Sequence, residues 1–383
     1  MLNQSIDSQR WMLFVLAPAF ALTAVADTIH GPMMPTIATA FRLGDAGSAA
    51  FLFWAFVGMS CGALLCRGNY VRIMVAGFAL QGIAFLSLPW MPSALLLPAV
   101  FLAGLGTGAP MTAISLFLGR NFPQKRAARL TLFNLFWSVG ALSAPLLAAR
   151  LLTLANWKLV YLAIGTLALA FAVVLALSLR DSEEQPRLNA ENAGLRNLRL
   201  IAIYALFFFL EVGIESALGA WTTSYLLRAA HLSVASSAAA TSLYWTGFLL
   251  LRLVTPLLLR RLTPVQLLQA SLGAGMLALL ILISAQNALL LLTAVLLLGC
   301  TFAPINPLAL ALFLDRARQS SDSRFVLSLS GFGGAVLPWM IGQIAACSHS
   351  LRTGLLVAPG AMIALLLLMP FMHFGAPAPT NKS

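Results

Sequence analysis

Long apolar runs separated by short polar breaks dominate the chain, and the length of those runs decides the reading. A helix crossing a bilayer core of about 30 Å needs about 20 mostly apolar residues. Twelve runs meet that requirement, at roughly 11–40, 47–66, 71–91, 94–118, 130–152, 159–179, 200–227, 234–259, 264–284, 288–314, 325–346 and 353–372. The pattern therefore predicts an all-α integral membrane protein with twelve transmembrane helices. The first run also admits a reading as a signal peptide, because Ala24-Val25-Ala26 resembles a cleavage site. Its flank sets Asp7 against Arg10 rather than forming a positive region, and cleavage would leave an odd number of spans, so the helix is expected to stay.

Composition sharpens this. Of the 383 residues, 60% are apolar and 9% charged, against about 25% charged in a soluble domain. Twelve spans of about 20 residues leave only short loops and tails, with no room for a sizeable soluble domain. The net charge of +12 forms no dense basic run with interleaved aromatics, so no nucleic-acid partner is expected. Cys61, Cys66, Cys300 and Cys347 lie in or beside apolar runs without metal-ligand spacing, and neither a metal nor a cofactor is expected. HExxH and Walker patterns are missing, so the chain reads as no enzyme and uses no ATP.

The cations instead set orientation. With a cytoplasmic amino terminus, 18 of the 23 Lys and Arg fall in cytoplasmic loops and tails, leaving only Arg42, Arg150, Lys158, Arg228 and Arg352 outside. Positive-inside insertion predicts that bias, so both termini are expected in the cytoplasm, in a multi-pass arrangement of the bacterial inner-membrane kind. The one long polar stretch, 180–199, follows the sixth span and divides the chain into residues 1–179 and 200–383. Two six-helix bundles joined by a central cytoplasmic loop match a transporter architecture built from two related halves. A weak internal echo agrees: Phe53-Trp54 with Gly58 runs to Arg67, and Tyr244-Trp245 with Gly247 runs to Arg260.

Three acids fall well inside spans, where an ionised carboxylate costs about 2.5–3.5 kcal/mol on insertion scales. They are Asp27, Glu211 and Glu215. Each is expected to face a cavity, a partner or a proton path, or else to sit neutral and hydrogen-bonded between helices. Glu211 and Glu215 are spaced i, i+4 and share a helix face, so the pair is expected to hold at least one proton. Asp27 and His30 are spaced i, i+3 ahead of Pro32 and Pro35, which predicts a first helix broken at mid-depth. His30 reads either as a proton relay beside Asp27 or as a plain donor to a neighbouring carbonyl. Arg67 and Arg252, near helix ends, read either as gates or as snorkelling anchors.

The order of elements resembles the major facilitator superfamily over nearly the whole chain. Its G-x-x-x-D-R/K-x-G-R/K-R/K signature corresponds here to Gly62-Ala-Leu-Leu-Cys66-Arg67-Gly68, where Cys66 replaces the acid. The seventh span, Glu211-Val-Gly213-Ile-Glu215-Ser-Ala-Leu-Gly219-Ala-Trp221-Thr-Thr-Ser-Tyr225-Leu, looks like the Y-V-G-x-E-x-x-x-G-x-W-x-x-x-Y-L pattern of the fucose, galactose and glucose transporter branch. Trp245-Thr-Gly247 through Arg252, Ala303-Pro304-Ile-Asn306-Pro307, and Gly331 with Leu337-Pro338-Trp339 and Gly342 look like that branch too.

The resemblance implies a secondary transporter moving a small polar solute, most readily a hexose, by alternating access and with a symported proton. An exporter of drugs or metabolites by proton antiport is the alternative within transport, and a membrane enzyme or sensor the alternative outside it. The first-helix and fourth-helix acids of the proton-coupled fucose transporters align with Gly31 and Ala109, so coupling by that route is not carried over. Glu215 matches the family position and is the expected proton carrier, with Glu211 as modulator. Asn134, Trp137, Trp221, Tyr244, Trp245, Asn306, Trp339 and Gln343, with Gln81 less central, are the expected sugar contacts, since flat rings suit C–H faces and amides suit hydroxyls. Single aromatics among them also read as packing or interfacial residues. The expected partners are the solute, protons and the lipid bilayer, and the chain is expected to act as a monomer.

Overall fold

The computed structural model describes residues 2–121, 126–154, 156–178, 198–314 and 320–373, and their regular structure is helical throughout. In a bilayer the backbone has no water to bond to, and a helix satisfies its own polar groups. Twelve spans result: α1, in two pieces, Leu2–Thr28 and His30–Phe41; α2, Asp45–Leu64; α3, Tyr70–Ser87; α4, Leu96–Asn121; α5, Arg126–Leu152; α6, Lys158–Ser178; α7, Leu198–Ala229; α8, Val234–Leu258; α9, Pro264–Ser284; α10, in two pieces, Ala288–Phe302 and Ile305–Leu314; α11, Ser320–Ser348; and α12, Leu351–Gly354 continued by Val357–His373. Eleven are long and apolar enough to cross a membrane by themselves, and the bent α1 pair makes the twelfth. The stretch expected to be the central loop, 180–199, lies outside the described residues except for Leu198 and Arg199. Hereafter the terminal end is where α1 begins and α12 finishes, and the far end is the opposite one.

The break expected in α1 is present. Met12–Thr28 and His30–Phe41 meet at 44°. Pro32 has no N–H for the Thr28 carbonyl, and its ring presses on that carbonyl, so the helix bends one turn before it. The same Pro-x-x-Pro spacing at Pro304 and Pro307 interrupts α10 between Phe302 and Ile305, where the sequence pattern had given one unbroken span. Both interruptions leave a helix end in the interior of a span, which is tolerated only where neighbouring protein covers it.

The helices pack as two bundles with matching partners. In the first, α1 lies on α5, α4 on both α2 and α3, and α3 on α6; in the second, α7 lies on α11, α10 on both α8 and α9, and α9 on α12. The internal echo in the sequence marks one of these repeats. A side chain at Gly58 of α2 would meet the Leu105 backbone nitrogen of α4 at 3.0 Å, and one at Gly247 of α8 would meet that of Cys300 of α10 at 2.9 Å. Small residues at both crossings let the backbones approach, the usual device where lipid supplies no hydrophobic drive to associate.

Across the two bundles, α2 meets α11, α5 meets α8 and α1 meets α7. Contact occurs at both ends. At the far end a side chain on Gly342 of α11 would meet the Asp45 carbonyl oxygen at 2.9 Å and Trp221 at 2.7 Å, and at the terminal end one on Gly331 would meet Ser60 Oγ at 2.6 Å.

Candidate functional site

The α1 break places Asp27 on the last turn of the first piece, and the α10 break places Asn306 on the first turn of the second. Both face the middle of α7. Asn306 Nδ2 donates to Glu211 Oε2 at 2.9 Å. Glu211 is fully buried, and its other oxygen, Oε1, has no hydrogen-bond partner among the described residues. Glu215, one turn along, is coupled electrostatically to Glu211 on its own helix and to Asp27 of the other bundle. Three carboxylates from two bundles thus share one interior region.

Arg252 of α8 is the cation of that region, within electrostatic reach of Glu211, Glu215 and Tyr244. Its hydrogen bonds run elsewhere. Nη1 donates to Ser138 Oγ of α5 at 2.9 Å and to the Asn134 carbonyl at 3.4 Å, while the guanidinium lies 4.3 Å from the Phe248 ring centre. The side chain therefore bridges the bundles, and it does more than anchor at an interface. Trp137 and Trp245 meet across the same boundary, edge to face with ring centres 5.6 Å apart. Tyr244 stacks edge to face on Trp245 at 5.0 Å, and its buried hydroxyl has no partner among the described residues.

Other expected site residues lie elsewhere. His30 turns into the first bundle, boxed by Phe51, Phe85 and Tyr161 at ring distances of 5.3, 5.7 and 6.3 Å, so the relay with Asp27 gives way to aromatic packing. Trp221 is buried and spends its indole N–H on the Pro338 carbonyl at 2.9 Å. Trp339 is 40% exposed and lines an apolar groove of about 300 Å³ with Ala50, Phe53, Trp54 and Val336, on the outside of the α2–α11 seam. Gln343 sits half-buried near the far end of α11. Gln81 is fully buried in α3, its backbone against Gly106 of α4. Asn134 contributes its carbonyl rather than its exposed amide. Arg67 is exposed in the α2–α3 connection and makes no ion pair with any described residue, so the structure gives it no gate contact.

Spacing in sequence gave no sign of two other features. Ser138 holds the Arg252 bridge, and Asp45 at the start of α2 pairs with Arg228 at the end of α7, with Nη1 to Oδ2 at 2.8 Å and a shorter second bond from Nη2 to Oδ1. The partners lie 183 residues apart, and the only signal was that both fall on the sparsely charged side. This bidentate pair joins the two bundles at the far end. Breaking it with Asp45→Asn is expected to shift the balance toward a far-end-open form by about fivefold, the worth of about 1 kcal/mol for an exposed pair. The exchanged pair Asp45→Arg with Arg228→Asp should restore it. Labelling of a cysteine placed at Ala49, in a background lacking the four native cysteines, measures the shift; unchanged labelling in Asp45→Asn would make the pair passive.

Two bundles of six membrane helices, crossing at both ends around a buried polar cluster to which each contributes, define a membrane carrier rather than an enzyme. The chain matches the Major Facilitator Superfamily over residues 16–338 and belongs to that family. It is similar to a glucose/mannose transporter, GlcP, of Bacillus subtilis (strain 168), with 24% identity over 338 residues covering 82% of each chain. It is also similar to a glucose/galactose transporter of Brucella abortus, with 25% identity over 378 residues covering 90% of each. Among solved structures, FucP in its outward conformation matches with a TM-score of 0.64 at 20% identity, covering 94% of this chain and 98% of that one. A nucleoside transporter, NupG, matches with a TM-score of 0.70 at 13% identity, covering 95% and 99%. At these identities the structural likenesses speak for the fold.

Proposed function

We propose that the protein is a proton-coupled hexose symporter of the bacterial inner membrane, working by alternating access between bundles 1–179 and 200–383. The observation that carries this reading is the cluster shared by both bundles at mid-depth. Asp27, Glu211 and Glu215 supply exchangeable protons, Trp137, Tyr244 and Trp245 supply flat faces and a hydroxyl, and Asn306 orients Glu211. Relatives named as glucose, mannose and galactose transporters support the hexose, and a structural neighbour described as a fucose:proton symporter supports the proton.

In this reading Glu215 carries the coupling proton, because it alone among the three is linked electrostatically to an acid in the opposite bundle and to Arg252. Glu211 tunes it. Arg252 gates the terminal end through Ser138, and the Asp45–Arg228 pair gates the far end. Uptake of labelled glucose, mannose and galactose into sealed proteoliposomes under an imposed pH gradient tests the assignment; no accumulation of any of the three would overturn it.

The terminal end is assigned to the cytoplasm, with the 180–199 loop on the same side, and the carrier works as a monomer. Reporter fusions after Asn189 and after Lys382 are both expected to read cytoplasmic. An external signal at either would break the six-plus-six arrangement.

A further inference from the structure

Carboxyl groups outnumber cations in the interior cluster. Among the described residues, Asp27 comes from α1, Glu211 and Glu215 from α7, and Tyr244 and Arg252 from α8, while α5 and α10 add the neutral Ser138 and Asn306. His30 points away, into its aromatic box. Three carboxylates therefore face a single guanidinium. That guanidinium is already engaged, since Nη1 serves Ser138 and the Asn134 carbonyl, and its face lies on Phe248. Glu211 Oε1 and the Tyr244 hydroxyl, both buried, are left without partners. A buried acceptor of this kind carries the full cost of its lost water.

Resting on the hexose reading above, we infer that the site prefers an amino sugar to the neutral hexose of the same shape. An ammonium brings three N–H donors and a positive charge. A hydroxyl brings one donor and none. The ammonium matches Glu211 Oε1 and Glu215, whose charge-assisted bonds are roughly twice as strong as neutral ones. It occupies the place a coupling proton otherwise takes, so ammonium and proton compete for the same carboxylates.

The test uses the full-length purified protein and displacement of labelled D-glucose by unlabelled D-glucosamine, N-acetyl-D-glucosamine and D-glucose at pH 6.5, where an amine with a pKa near 7.7–8.0 is mostly protonated. Glucosamine is expected to displace at about one tenth the concentration glucose needs, one factor of ten being the worth of one charge-assisted bond over a neutral one. N-acetylglucosamine, which is larger but uncharged, should show no such advantage. The ratio of glucosamine to glucose affinity should fall as the pH drops from 7 to 5, when protons fill the carboxylates, and should shrink in Glu211→Gln and in Glu215→Gln. Glucose binding with no advantage for glucosamine would overturn this inference and leave the hexose reading standing. Glucosamine binding with a ratio untouched by pH and by both variants would also overturn it. No saturable binding of any of the three sugars would instead sink the hexose reading.

Discussion

Glu215→Gln is expected to abolish gradient-driven accumulation of solute while leaving solute counterflow in place. An amide keeps the shape of the carboxyl but does not titrate. One proton moving down a potential of about 100 mV supplies about 2.3 kcal/mol, near a fifty-fold solute gradient, and all of that drive is lost with it. The exchange of solute for solute needs no net proton movement, so it survives. Glu211→Gln, by contrast, is expected to move the pH optimum, because Asn306 still holds the side chain and Glu215 still titrates. Concentrative uptake by Glu215→Gln in liposomes under an imposed pH gradient would send the proton to another group, with Asp27 next in line through its link to Glu215.

Gly31→Glu is expected to inactivate transport rather than to restore coupling. Residue 31 aligns with the first-helix acid of the fucose transporters, so resemblance alone would call this substitution a repair. The structure gives the opposite result. A Cβ at Gly31 would lie 3.0 Å from Ala220 Cα and closer still to the Gly219 carbonyl oxygen, at the place where α1 of one bundle crosses α7 of the other. Overpacking alone costs about 1–3 kcal/mol, and a charge forced against backbone adds to that. The bundles should then fail to close at the far end, with uptake falling below about a tenth of the parent, since each 1.4 kcal/mol is tenfold in a population. Cysteine labelling at Ala49 should rise while membrane insertion stays normal. Parental uptake by Gly31→Glu would show that α1 and α7 part at this point during the cycle. Ala109, the other aligned position, is likewise committed: it is buried, and its backbone nitrogen lies 2.8 Å from where a side chain on Gly62 would sit.

Twelve spans, the bend in α1 and the presence of three acids inside the spans were legible in the chain because each is a local property. Span length follows from bilayer thickness. The bend follows from Pro32, and the concern with Asp27, Glu211 and Glu215 follows from the cost of charge in lipid. The i, i+4 pair on α7 needed only the helix period. The residues that misled did so because they share a helix with the site but not its face or its depth. Trp339 and Trp221 lie in family-like segments, yet one lines an outer groove and the other fills a core contact.

Sequence by itself determined the all-helical membrane class, the number of spans and which acids fall inside the spans. Only the tertiary structure decided which of those groups meet: Asp27 with Glu215, Asn306 with Glu211, Arg252 with Ser138 and Asp45 with Arg228. Each of these links joins helices distant in the chain, and three of the four join opposite bundles, where no periodicity along one helix carries information about its partner. The direction of His30 was settled the same way, by three aromatic rings from other helices that receive it.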